Sequence, residues 1–187
     1  SLRARLAGDD IATVLLQCSP YFTSSALYPV VQHLERKAGM QRTDSPAQRA
    51  AKLQALAVGL ADTPLGCLLR LMGLPDGGRA LPGGASPQEE KLQTLQALLE
   101  SLQRLAHQQP LLFLVEDAHW IDPTTEELIR LAADRLRQAR MLMLITARPE
   151  YVVAWSGPAQ LTRLSLGPLS QRQCAALVYT VTGDKAL

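Results

Sequence analysis

Short apolar runs alternate with longer segments of helical periodicity along the chain. Residues 11–18 (IATVLLQC), 111–115 (LLFLV), 141–146 (MLMLIT) and 161–166 (LTRLSL) are strand-length stretches rich in aliphatic side chains, and they predict four buried strands. Between them the period changes. Leu27, Val30, Val31 and Leu34 recur at helical spacing, with Ser24 or Ser25 placed to cap the helix and Gly39 to stop it. Ser45-Pro46 and Thr63-Pro64 open two further helical stretches, about 46–60 and 62–72. Residues 75–87 (PDGGRALPGGASP) are a glycine- and proline-rich loop. A long amphipathic helix follows at about 88–107, with Leu92, Leu95, Leu98, Leu99, Leu102 and Leu105 on one face as core packing. Asp122-Pro123 supplies an N-cap and first helical position, and Ser170 with Gln173 forms a capping box before a last helix through about Val181. Residues 1–7 read as the end of a helix halted by Gly8 and Asp9-Asp10. Strands alternating with helices imply an α/β fold on a parallel sheet.

Composition narrows the class only a little. Apolar residues make up 47% and charged residues 19% of the 187, as in a globular domain rather than a disordered chain. A net charge of +2 is too small to point to nucleic acid or an acidic membrane, and Arg135, Arg137 and Arg140 read as a solvated helix face. Cys18, Cys67 and Cys174 have no CxxC spacing and read as reduced, mostly buried thiols in a cytoplasmic protein. No run approaches the ~18 apolar residues that span a bilayer, and no signal peptide is legible.

The chemistry concentrates at the end of one strand. LLFLVED, residues 111–117, places Glu116 and Asp117 at the carboxyl end of a buried parallel strand, where α/β sheets bind ligands. In phosphoryl transfer one such carboxylate holds hydrated Mg²⁺ and its neighbour orients the attacking water. Alone, the pattern is more often that of two solvated or structural acids.

VEDAHWIDPTTEEL (115–128) followed by LMLITARPEY (142–151) resembles the STAND class of signal-transduction ATPases, relatives of AAA+ proteins. The likeness is greatest to the ATPase modules of large bacterial regulators joined to adenylate/guanylate cyclase-like or LuxR-type domains. It extends to QCSPYFTSSALYPVVQHLER (17–36) and LSLGPLS (164–170). The resemblance implies a three-layer P-loop NTPase-like core with a helical insertion at about 40–107. It further implies a Walker B and sensor half at 108–169 and the start of a lid helix at 170–187. Glu116 would contact Mg²⁺ through water and Asp117 would polarise the attacking water. Thr146 and Arg148 would face the ATP phosphates from the sensor strand, although spacing alone also allows Arg148 to pair with Glu150 at the surface. Trp120 reads as a buried ring and His119 as a donor to a backbone carbonyl.

One departure stands out: no GxxxxGK[ST] loop occurs in the 187 residues. The resemblance places it just before the helix that ends at residues 1–7, so the chain is expected to be a truncated core lacking its first strand and P-loop, inactive alone. The expected function is part of an ATP-dependent regulatory switch that contacts other domains of its polypeptide. The rivals are a nucleotide-independent scaffold and a different Mg²⁺-dependent phosphohydrolase or nuclease. Without a strand between 141–146 and 161–166 the sheet keeps unpaired edges, and self-association between chains is the expected remedy.

Overall fold

The computed structural model describes residues 10–75, 86–151 and 162–182. Three strands, β1 (Ala12–Gln17), β2 (Leu111–Glu116) and β3 (Met141–Ile145), form a parallel sheet in the order β1-β2-β3. Around them lie α1 (Tyr28–Lys37), α2 (Pro46–Leu56), α3 (Asp62–Leu71), α4 (Pro87–Gln108) and α5 (Pro123–Arg135). The α/β class and parallel sheet expected from the chain pattern are what the structure has. It falls into two compact units, 1–156 and 157–187, and the second contributes α6 (Gln171–Thr182).

Register sets the faces. Ala12, Leu111 and Met141 stand side by side, as do Val14, Phe113 and Met143, so these alternate positions share one face. That face packs into one core with Val30 of α1, Leu53 of α2, Leu68 and Leu69 of α3, Leu95, Leu99 and Leu102 of α4, and Leu128 and Ile129 of α5. The stripe on α4 therefore packs as the periodicity predicts, except that Leu92 in its second turn is exposed.

Serines start three helices, at Ser45 and Ser170 as the sequence implies and at Ser86, inside the expected loop, as it did not. Ser45 with Gln48, Ser86 with Glu89 and Ser170 with Gln173 exchange reciprocal side-chain to backbone hydrogen bonds. Helix α1 is different. Neither Ser24 nor Ser25 caps it; Leu27 does, in the left-handed region at φ 58°, with no side-chain cap. A leucine disfavours that conformation, and the buried Asp122 secures it by accepting the Leu27 N–H at 3.1 Å.

Two strand expectations need correction. β3 is not buried: Leu142 is 61% and Leu144 40% exposed, whereas Leu112 and Leu114 beside them are 3% and 7% exposed. Among the described residues β3 has a neighbour only on the β2 side, and an edge strand lacks the cover a central one receives. Thr162 to Leu166 form no strand and their leucines are exposed, while Leu161 lies outside the described residues. Alternation supplies a face, but a strand also needs a neighbour to bond. Residues 1–7 also lie outside the described residues. Among the described residues, no helix is long and apolar enough to cross a membrane.

Candidate functional site

The carboxyl ends of the three strands bring together Gln17, the acidic pair Glu116-Asp117, and Thr146. β2 and β3 stay bonded beyond their last ladder positions. Thr146 N–H donates to the Val115 carbonyl at 2.9 Å, and Ala118 N–H donates to the Thr146 carbonyl at 2.9 Å. Asp117 sits inside this closure with φ 56°, a left-handed conformation that aspartate tolerates better than most residues. Its N–H donates to the Thr146 hydroxyl at 3.2 Å. The left-handed residue turns the chain out of the strand into a single 3₁₀ turn, Ala118–Trp120, and leaves the Asp117 side chain exposed. Thr146 is thus tied to the acidic pair through backbone, a role the spacing did not show.

Glu116 is half-buried and has a side-chain partner that sequence reasoning missed. Gln17 Nε2 donates to Glu116 Oε2 at 2.9 Å, and Gln17 Oε1 accepts from Arg36 Nη1 at 2.8 Å. Parallel register places Gln17 directly beside Glu116, a pairing visible only once the strands are aligned.

Among the described residues Arg148 makes no ion pair with Glu116 or Asp117; its guanidinium carbon lies 5.8 Å from the centroid of the Trp120 ring, a cation–π arrangement. Trp120 is half-buried against the core, as its apolar body requires. His119 departs from expectation: among the described residues its buried Nδ1 has no hydrogen-bond partner rather than a backbone carbonyl.

Asp122 anchors the floor. Beyond Leu27 it accepts the N–H groups of Thr124 at 3.1 Å and Thr125 at 2.9 Å, and also the Thr125 hydroxyl. One carboxylate thereby caps α5 and fixes the segment that follows β1. Burial pushes the Cys18 thiol up to about 12, with the negative charges of Asp122 and Asp117 adding to the effect. That thiol is a packing group rather than a nucleophile. Burial also raises the Tyr151 hydroxyl, which donates to Glu126 at 3.0 Å.

The donor set can be weighed against a metal. Among the described residues no group of three or more His, Cys, Asp or Glu could hold an ion. Two adjacent acids, one half-buried and one exposed, suit Mg²⁺, which binds through one or two carboxylates and keeps water and phosphate oxygens for the rest.

Comparison with known proteins bears on the family and the fold class. Residues 1–145 match the family model described as AAA ATPase domain. The chain is also 29% identical over 169 residues to uncharacterized protein R02095 of Rhizobium meliloti (strain 1021). That match covers 90% of this chain and 16% of the relative's length. No solved structure matches.

Proposed function

Because the chain belongs to the AAA ATPase domain family, we propose that it supplies the acidic-strand and sensor half of an ATP-binding and ATP-hydrolysing regulatory module of the STAND type. The observation that carries the reading is the closure of β2 onto β3 around Asp117, which sets Glu116, Asp117 and Thr146 at one edge of the parallel sheet. ATP and Mg²⁺ are the ligands that family uses. Glu116 would hold the hydrated Mg²⁺ that draws charge from the phosphates. Asp117, exposed at the rim, orients the attacking water by accepting its proton-bearing side. Arg148, one residue beyond the Thr146-Ala147 exit from β3, carries the planar guanidinium suited to the terminal phosphate. Nucleotide state at this edge would alter how the module contacts neighbouring domains of a regulator, among them cyclase-like or DNA-binding outputs.

Two measurements test the reading. Calorimetric titration of the 187-residue chain with Mg-ATP is expected to show no affinity tighter than about millimolar, or ~4 kcal/mol, because no phosphate loop is present in the sequence. A micromolar dissociation constant would refute the incomplete site. In a polypeptide joining this sequence to a glycine-rich GK[ST] loop, Asp117→Asn should lower turnover by about a hundredfold or more and leave ATP binding nearly intact. Glu116→Gln should weaken Mg-dependent binding as well. If both variants keep wild-type turnover, the nucleotide-independent scaffold is the better description.

A further inference from the structure

Gln17 and Arg36 are 19 positions apart, yet their side chains meet beside the acidic pair. The contact begins at the outer edge of β1. Leu15 directs its N–H and carbonyl away from β2, and α1 takes both: His33 Nδ1 accepts the N–H at 3.3 Å and Arg36 Nη2 donates to the carbonyl at 3.0 Å. The second arm of the same guanidinium, Nη1, donates to Gln17 Oε1 at 2.8 Å. Gln17 then donates from Nε2 to Glu116 Oε2 at 2.9 Å.

The order of donors matters. A glutamine amide by itself can present either its oxygen or its NH₂ to a neighbour. Arginine has donors only, so Arg36 claims the oxygen and turns the NH₂ toward the carboxylate. Without Arg36 the amide can rotate its oxygen toward Glu116, where it would repel. The carboxylate is held at one oxygen, and among the described residues Oε1 of Glu116 accepts no hydrogen bond.

We propose that Gln17 and Arg36 are positioning residues for Glu116, committing Oε2 and presenting Oε1 to a divalent cation at the edge of the sheet. The proposal rests on the reading of Glu116 as a cation-holding carboxylate. A ligand group held in place before binding loses less freedom when the ion arrives, so its affinity exceeds that of a free side chain. Both side chains are exposed, so their removal leaves the apolar core untouched.

The test uses the full 187-residue chain with Mn²⁺ as probe, read by electron paramagnetic resonance of the free ion, beside the thermal midpoint and the side-chain amide resonances of Gln17. Glu116→Gln should abolish Mn²⁺ uptake. Gln17→Leu and Arg36→Met should each weaken it about three- to tenfold, the range of one lost hydrogen bond, and Gln17→Leu should leave the thermal midpoint unchanged. Arg36→Lys, whose single ammonium cannot serve Leu15 and Gln17 together, should fall between Arg36→Met and wild type. The Gln17 amide protons should shift in Glu116→Gln without any metal. Absence of Mn²⁺ binding by the wild type would remove the cation reading of Glu116 itself. Wild-type uptake matched by both Gln17→Leu and Arg36→Met would overturn the positioning role and leave that reading standing. Gln17 amide resonances indifferent to Glu116→Gln would overturn the relay whatever the metal does.

Discussion

Removing the carboxylate of Asp122 should loosen the segment after β1 and the start of α5 together. Asp122 is 1% exposed and accepts from four donors: the amides of Leu27, Thr124 and Thr125 and the Thr125 hydroxyl. In Asp122→Ala all four lose their acceptor. The N-cap share of the loss is about 1 kcal/mol. The Leu27 amide and the Thr125 hydroxyl are buried, and each buried donor left unmet costs roughly 1–3 kcal/mol. Allowing for partial relaxation, Asp122→Ala should cost ~3–4 kcal/mol, a large share of the ~5–15 kcal/mol typical of a domain. Asp122→Asn keeps one oxygen for the three amides, and the Thr125 hydroxyl can rotate to accept from the new NH₂, so about 1 kcal/mol should be lost. Urea unfolding followed by circular dichroism reads the difference. With a slope near ~2 kcal/mol/M, the alanine midpoint should fall by roughly 1.5–2 M at unchanged slope. Amide exchange at Leu27 should accelerate in the alanine variant. An alanine penalty below about 1 kcal/mol, or equal to that of asparagine, would refute the account of Asp122 as a shared anchor.

Two further outcomes follow from perturbed ionisations. Burial lowers His33 from 6.5 to about 4, helped by the positive charges of Lys37 and Arg36. The unfolded chain therefore binds the proton first, and the stability held above pH 6.5 should drain away as pH falls toward 4, by up to about 3 kcal/mol. His33→Gln, which can still accept from Leu15, should flatten that part of the stability–pH curve; a curve parallel to wild type would contradict the assignment. Native thiol titration with a disulfide reagent at pH 8 should register one fast cysteine, the exposed Cys174, because Cys18 and Cys67 are buried with thiols raised by burial. Two or more fast thiols would show that the core opens at Cys18 or Cys67.

Much of the local architecture was decided by the sequence alone, because its causes are local. Each serine capping box joins residues three apart, so Ser45, Ser86 and Ser170 mark helix starts before any tertiary contact exists. The apolar runs at β1, β2 and β3 and the leucines of α4 follow the same logic, and the acids after Val115 had to fall at a strand end. What tertiary structure decided involves partners far apart in the chain. Leu27 rather than a serine begins α1 because Asp122, 95 positions away, holds its amide. Glu116 is oriented by Gln17, 99 positions away, and Asp117 is closed in by Thr146, 29 positions away. Residues 162–166 have strand alternation and form no strand, and β3 is apolar yet half exposed, because burial and pairing belong to neighbours rather than to the run itself. Periodicity sets which side chains share a face; only the folded chain determines which groups meet across it.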